Sequence, residues 1–367
     1  MVMTTQTETK RVAILIEQGV EDAEFQIPYN ALKKAGANVV VLGSRINEEY
    51  KGKQNKVAVK ADATTTEAIA ADFDAVIIPG GQAPDKMRTN MNTVNFVKEA
   101  LDAGILVASV CHGPQVLIEG DMLENVRATG FRAIRKDMQN AGAVFVDEPL
   151  VIDDNLITSR RPGDLPIFTT AILQYLNLSV PDTSLPNVAD ADAGWWKLGE
   201  EWGGSSKSEI VQAINTAIAG ERYSLEAFQH YVDNAPDEAM RELFQEICAH
   251  KQQHIQLLES RLNVLGDKPS LAASISNFYA DVKAFFQNNR SNIDILRRAL
   301  GDMQTGVVDI YALRNKLTDP ATVDIFDQME IVLARDEARI AEMYKDRLGD
   351  RAPQSPQPSS SPSVTAG

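Results

Sequence analysis

Two cysteines stand in this chain of 367 residues, and one of them occupies a position suited to covalent chemistry. In Ala108-Ser109-Val110-Cys111-His112-Gly113-Pro114 an apolar run ends at Val110, a cysteine follows, and Gly-Pro opens a helical stretch. Such a strand-to-helix turn lifts the side chain at Cys111 above the carboxyl ends of the strands, where open α/β sheets bind ligands. It also sets the sulfur at a helix start, where unpaired N–H groups favour thiolate, so a pKa below the free value of about 8.5 is expected. His112 is adjacent and can pair with the sulfur if its ring turns back. The mechanics are those of a nucleophile elbow without the G-x-S-x-G sequence. The plain alternative is a small buried hydrophobe beside a structural histidine. The other thiol, Cys248, falls inside a long helical pattern and should behave as a core residue.

Two further segments end apolar runs with residues that can serve such a sulfur. Ile77-Ile78-Pro79-Gly80-Gly81-Gln82-Ala83-Pro84-Asp85 carries paired glycines, which let the backbone turn sharply and point N–H groups at an oxyanion. Alone, Gly-Gly more often marks only a turn. Glu17-Gln18-Gly19-Val20-Glu21-Asp22-Ala23-Glu24-Phe25 follows the first apolar run. Its acids read as a solvated helix start, but one facing inward beside a thiolate would have a raised pKa and could shuttle protons.

The elements that must position these residues follow from patterning. Val12–Ile16, Val39–Leu42, Ala75–Ile78 and Leu106–Val110 are nearly all apolar and β-branched, as strands buried on both faces of a parallel sheet are. Helical spacing fills the gaps at Ile27–Ala35, Thr93–Ala103 and Gln115–Glu119. Further strands are expected at Val144–Val146, Leu150–Ile152 and Leu156–Thr158, then a helix from Asp164 to Leu176. This alternation predicts a doubly wound α/β domain over 11–178. From 179 to 207 prolines and glycines punctuate a linker that holds all three tryptophans, Trp195, Trp196 and Trp202. Three such rings in one linker point to packing on a domain surface.

Residues 208–349 read as an all-α unit. Ser208–Asn234, Pro236–Leu265, Asn292–Leu317 and Pro320–Leu348 are four long helices, with Pro236 and Pro320 in first turns. Ser270–Asn289 is a shorter helical stretch spanning the middle connection, so the outline is that of a ferritin-like four-helix bundle. The tail, 350–367, is Pro/Ser-rich and expected to be disordered. Three of the four histidines, His230, His250 and His254, lie in the bundle. His250 and His254 are one turn apart, yet no Glu-x-x-His pair is present; Glu246 is one residue too far from His250. Glu221, Glu246 and Glu330 could face inward, but long polar helices hold many such residues. No metal and no other cofactor is expected, and the apolar stripe Leu243, Ile247, Ile255, Leu258, Leu262 should hold the bundle.

Composition narrows the function classes. Thirty-six basic against 51 acidic residues give a net charge of -15, which opposes attraction to nucleic acid or anionic lipid. No run reaches a membrane span, and Val12–Ile16 is too short for a signal-peptide core. Neither a nucleic-acid nor a membrane partner is expected. With two cysteines of unlike surroundings there is no disulfide framework, and a reduced, cytoplasmic protein is expected.

Five segments, in order, resemble the DJ-1/PfpI superfamily, nearest its PfpI-like intracellular protease and deglycase branch. They are Glu21-Asp22-Ala23-Glu24, Pro79-Gly80-Gly81-Gln82-Ala83-Pro84, Val110-Cys111-His112-Gly113-Pro114, Asn140-Ala141-Gly142-Ala143, and Leu156-Ile157-Thr158-Ser159-Arg160-Arg161-Pro162-Gly163-Asp164-Leu165-Pro166. The resemblance implies a flavodoxin-like fold, with Cys111 as nucleophile and Glu24 as the carboxyl near its sulfur. It implies an oxyanion site from the amides of Gly80, Gly81 and His112. In PfpI-like proteins a glutamate of a neighbouring subunit completes a Cys-His-acid triad; this chain has Asp85 there, one methylene shorter. That departure weakens the peptidase reading more than the glyoxalase or deglycase one. A homo-oligomer is expected, with the bundle serving oligomerisation or docking.

The implied chemistry is attack of Cys111 on a small dicarbonyl such as methylglyoxal, or on glycated protein side chains, with Glu24 moving protons. A PfpI-type cysteine peptidase is the second reading. A non-enzymatic redox sensor or stress chaperone, oxidised at Cys111, is the third.

Overall fold

The computed structural model describes residues 9–191, 193–270 and 291–349. The segment 271–289 and the tail 350–367, read above as a short helix and as disordered, lie outside the described residues. Two compact units emerge. The first comprises the described residues up to Ile214 together with Ala312–Phe326; the second comprises Asn215–Tyr311 and the residues from Asp327 onward.

The first unit is built on a seven-stranded sheet. Its strands are β1 (Arg11–Leu15), β2 (Asn38–Gly43), β5 (Ala63–Thr64), β6 (Ala75–Ile78), β7 (Leu106–Val110), β10 (Leu150–Asp153) and β11 (Leu156–Ser159). They lie in the order β10-β11-β7-β6-β1-β2-β5. All pairings are parallel except the β10–β11 hairpin. Every residue of β6, β7 and β11 is buried, so the continuous apolar runs are strands covered on both faces. The run β2-β1-β6-β7-β11 is the flavodoxin-like order, with its switch point between β1 and β6.

Four short strands were not legible as apolar runs: β3 (Glu49–Lys51), β4 (Ala58–Lys60), β8 (Arg127–Ala128) and β5. β3 pairs with β4, and β8 pairs with β9 (Val144–Phe145), both outside the main sheet. Polar residues at the edge of a unit need no apolar pattern, which is why the sequence does not announce them.

The helices of this unit are α1 (Asp22–Lys34), α2 (Ala83–Met87), α3 (Met91–Asp102), α4 (Pro114–Glu119), α5 (Arg135–Asn140), α6 (Leu165–Tyr175) and α7 (Trp195–Glu201). α1 begins five residues before the expected start, at the acidic run, so Asp22 and Glu24 fall in its first turn. The tryptophan segment is not an open linker. Trp195 is 2% exposed and Trp202 fully buried, α7 packs on α6, and the Trp202 carbonyl accepts a hydrogen bond from Asn30 of α1. Trp196 is half-buried, with the Lys197 ammonium 5.7 Å from its ring.

Four long helices follow: α8 (Lys207–Asp233), α9 (Glu238–Val264), α10 (Asn292–Arg314) and α11 (Pro320–Gly349). The boundary of the two units falls inside α8, α10 and α11. Within the first unit, Ser205 and Thr318 exchange hydrogen bonds, and Asp324 pairs with Arg160 and Arg161. These bonds explain why Ala312–Phe326 belongs with the sheet. Pro236 does not start α9 as expected; Asp237 caps it, its carboxylate accepting from Met240 N–H at 3.0 Å. Pro320 does open α11.

In the second unit α9 runs antiparallel to α8 and to α11. Phe228 and Tyr231 of α8 meet Phe244 of α9, and Glu246 and Asp237 of α9 pair with Arg339 and Arg347 of α11. Among the described residues no helix is long and apolar enough to cross a membrane.

Candidate active site

The site stands at the carboxyl ends of three neighbouring strands. Cys111 directly follows β7, Gly80 lies two residues beyond β6, and Glu24 lies in the first turn of the helix that follows β1. Cys111 adopts φ 61°, a left-handed conformation rarely taken by a residue with a side chain and costing roughly 1–3 kcal/mol. Its backbone is pinned on both sides to keep it there. The Cys111 N–H donates to Ser159 at 3.0 Å, and its carbonyl accepts from Phe131 N–H at 2.8 Å. This is the elbow expected of an exposed nucleophile, although here the residue is 6% exposed.

Gly80 explains how the groups come so close. A Cβ on Gly80 would lie 2.7 Å from Glu24 Oε2, 2.7 Å from the His112 nitrogen and 2.9 Å from Cys111 Cβ. Groups from the ends of β1 and β7 therefore converge on Gly80, beyond β6, in a space only glycine leaves open. Gly81 has φ 81°, and a Cβ there would meet Glu21 N at 2.4 Å. Both glycines serve close approach.

Glu24 is fully buried. Its Oε2 accepts the Gly80 N–H at 2.7 Å, while Oε1 is buried without an aligned hydrogen bond. Burial pushes this carboxyl well above its ordinary range, and the neighbouring Glu21 charge adds to the push. A protonated Glu24 places a donor on the otherwise unpartnered oxygen, with the Cys111 sulfur beside it as acceptor.

The expectation of a simply acidic thiol is corrected. Burial pushes Cys111 well up, and an ionised Glu24 pushes it further. The helix beyond it, α4, has only six residues, too short an array of peptide dipoles to outweigh burial. An ionised Glu24 therefore opposes the thiolate. The two groups act as one coupled pair.

His112 Nδ1 lies 3.4 Å from Cys111 Sγ, and the ring packs on Phe131 at 5.0 Å between centroids. Burial, and then the Lys53 charge, hold this imidazole below its ordinary pKa, so it is neutral at neutral pH. The His112 N–H is directed at the Cys111 sulfur, and the Gly80 N–H is committed to Glu24. Gly80 is thereby set aside from the oxyanion role expected of it unless the carboxyl moves. Asp85 lies exposed in α2, and among the described residues no hydrogen bond joins it to His112. Among the described residues no acid of the same chain completes a Cys-His-acid triad.

The geometry also brings in residues that sequence reasoning left in a loop. Lys53 reaches Glu21 at 3.4 Å, and Asp22 accepts three backbone N–H groups of the 54–57 segment. Nothing in the polar stretch Glu48–Lys56 distinguishes Lys53 from other surface lysines before the fold is formed.

The chain is similar to known proteins. A profile of the DJ-1/PfpI family matches residues 10–175. Protein/nucleic acid deglycase 2 of Escherichia coli is 38% identical over 169 residues, which is 46% of this chain and 98% of that protein. The chain belongs to the DJ-1/PfpI family. A second relative, "Putative cysteine protease YraA" of Bacillus subtilis, is 39% identical over 168 residues, 46% of this chain and 99% of its own length. Residues 209–306 match a domain of unknown function, DUF2383. A crystal structure of a two-domain protein with DJ-1/ThiJ/PfpI-like and ferritin-like domains, from Anabaena variabilis, matches at 53% identity and TM-score 0.87. It covers 98% of this chain and 100% of that one, so the DJ-1/PfpI unit is joined here to a ferritin-like one.

The ferritin-like unit uses its inward polar groups on one another. His254 Nδ1 lies 3.0 Å from Glu221 Oε2, and the Lys251 ammonium 3.7 Å from the same oxygen. His250 instead pairs with Asp336 of α11 at 2.8 Å. One turn apart on α9, the two histidines thus face different helices. Glu246 is spent on Arg339, and Glu330 is buried. Among the described residues no group of three or more His, Cys, Asp or Glu side chains could hold a metal ion. Leu243, Ile247, Leu258 and Leu262 are buried as expected, but Ile255 is only half-buried. Lys251 and His254 take the core positions between them. Cys248 is half-buried, its thiol pushed up to about 11 by burial.

Proposed function

We propose that the chain is a cysteine-dependent stress enzyme acting on reactive dicarbonyls or on the early adducts they leave on protein side chains. The observation that carries this reading is the buried Glu24 carboxyl beside the Cys111 sulfur at the sheet's carboxyl edge. A thiolate needs no further base to add to an aldehyde, and a protonated carboxyl can return the proton the addition requires. The deglycase name of the Escherichia coli relative supports the same class.

With methylglyoxal, the Cys111 sulfur adds to the aldehyde carbon and Glu24 protonates the new oxygen, giving a hemithioacetal. Glu24, now ionised, removes the hydrogen from that carbon, and a proton is returned to the neighbouring carbonyl carbon through the enediol. The aldehyde carbon is thereby oxidised and the ketone reduced, with no external oxidant. Water then hydrolyses the thioester to the 2-hydroxy acid and frees the thiol.

The test is loss of methylglyoxal and appearance of lactate, followed with wild type and Cys111→Ala. Turnover should vanish in the variant, and equal turnover in both would refute the reading. A peptidase is the second reading, favoured by the 3.4 Å separation of Cys111 and His112 and by the Bacillus subtilis relative's name. It needs an acid for His112, which Asp85 of another copy would have to supply. Casein cleavage lost in His112→Ala and Asp85→Ala, while methylglyoxal turnover persists, would assign both activities. Light scattering that found only monomer would remove the peptidase route.

A further inference from the structure

One of the two bonds that pin the thiol elbow comes from the last residue of β11. Ser159 ends that strand, and its carbonyl accepts the Cys111 N–H at 3.0 Å. At φ 61° Cys111 is strained, and only its surroundings keep it there. Ser159 must therefore stay in place. On one side its Oγ donates to the Pro149 carbonyl at 2.7 Å, across the β10–β11 hairpin. On the other side the chain runs directly into two arginines, Arg160 and Arg161.

Adjacent guanidinium groups repel each other, and these two share one buried carboxylate. Asp164 is fully buried; its Oδ2 accepts from Arg160 Nε at 2.9 Å and its Oδ1 from Arg160 Nη2 at 3.2 Å. Arg161 Nε stands 3.7 Å from the same Oδ2. Asp147 lies 3.3 Å from Arg160 Nη1 but is 78% exposed, where an ion pair contributes little. A second firm carboxylate comes from far along the chain. Asp324 Oδ1 accepts from Arg161 Nη2 at 2.5 Å and from Arg160 Nη2 at 3.4 Å.

Asp324 belongs to the sheet unit and is carried there by fixed backbone. Asp319 caps the start of α11, its carboxylate accepting the Thr322 N–H at 3.1 Å. Val323, 1% exposed, sits directly on the turn that leaves β11: a Cβ on Gly163 would lie 2.7 Å from Val323 Cγ1. The first turn of α11 is thus seated beside the arginines, and Asp324 reaches them from it.

We propose that Asp324 is a positioning residue for the thiol: as the second carboxylate of the Arg160–Arg161 pair it fixes the end of β11, and with it the Ser159 carbonyl that holds Cys111 in its left-handed conformation. Without Asp324 the two cations compete for Asp164 and are driven apart, which loosens the strand end they follow. The inference rests on Cys111 as the reactive group of the proposed function and on no particular substrate.

Exchange of the Cys111 amide hydrogen for deuterium, followed by NMR on the full chain, reads the bond to Ser159 directly. Asp324→Asn removes the charge and keeps the shape. It should speed that exchange by about tenfold or more, the loss expected of a charge-assisted hydrogen bond. The amide of Ile14 in β1, three strands away from β11, should keep its protection. Asp324→Glu, which retains the carboxylate, should restore the wild-type rate at Cys111. Methylglyoxal turnover by Asp324→Asn should fall in kcat with KM unchanged, because the sulfur's presentation and not binding is altered. An unchanged Cys111 rate overturns the proposal, and so does equal acceleration at Ile14, which would reduce the contact to global stability. Should Asp324→Asn fail to fold by circular dichroism, Arg161→Gln removes the other half of the 2.5 Å pair and decides by the same two amides. A wild-type protein inert toward methylglyoxal would defeat the proposed function while leaving the exchange result intact.

Discussion

Glu24 couples the chemistry of the site to the stability of the fold. Its carboxyl is pushed well above the ordinary value of 4.5 by burial, so the folded chain retains a proton that the unfolded chain releases. Stability from this group is complete below about pH 4.5 and is lost as pH rises through the raised folded value. Glutamine mimics the protonated acid, since its oxygen can accept the Gly80 N–H and its amide can donate to the sulfur. Glu24→Gln should therefore melt with wild type at low pH and increasingly above it as pH rises past 4.5, in a thermal series at several pH values. A constant offset at all pH values would show that the carboxyl titrates alike in the folded and unfolded chains. The same variant should lose about 10²- to 10⁴-fold in methylglyoxal turnover, the usual worth of a positioned proton carrier.

At the scale of elements, the site depends on helices that begin in the right place. α1 starts at the acidic run because Glu21 and Asp22 have partners across the chain: Gly80, Lys53 and the 54–57 segment. Asn30 and Lys34 of α1 bond to the tryptophan segment. Trp202 is fully buried and its carbonyl accepts the Asn30 amide at 2.9 Å. Trp202→Ala removes that ring from a packed site and should cost about 3–5 kcal/mol. Urea unfolding read by the sheet unit's signal checks the figure, and a cost under about 1 kcal/mol would mean that the segment merely rests on the surface.

At the scale of the whole molecule, the chain builds two units of different architecture, and the second pairs its buried Glu221 internally. Burial alone would raise Glu221, but the Lys251 ammonium and the His254 ring hold it below its ordinary value. Removing the cation leaves the buried carboxylate with the His254 ring alone. Lys251→Met should destabilise the helical unit by about 3–5 kcal/mol, and adding Glu221→Gln should recover much of it. Additive losses in the double variant would mean that the two side chains do not act as a pair. Because an ammonium and an imidazole occupy Glu221, treatment with a chelator should leave the melting temperature of this unit unchanged. A fall in that temperature on chelation would reveal a structural metal.

Much of this was legible from residues alone, for definite physical reasons. A strand buried on both faces must be apolar throughout, so β1, β2, β6 and β7 could be read directly. A cysteine between such a strand and a Gly-Pro helix start could be placed at the carboxyl edge before any coordinates, and four long periodic stretches announced four long helices. What sequence did not determine depends on groups distant in the chain meeting in space. Burial of Cys111 against Glu24 reversed the acidity inferred from its helix start, because desolvation outweighs the dipole of a six-residue helix. Commitment of the Gly80 N–H to Glu24 is a contact across 56 positions. Lys53, set in a polar run, acquired its place only when Asp22 clamped the segment beside it. In the helical unit, local spacing set His250 and His254 one turn apart, but the packing of α8 and α11 against α9 gave each a separate carboxylate. Periodicity and turn chemistry are local and survive in the sequence; protonation states and pairings are set by the neighbours that folding supplies.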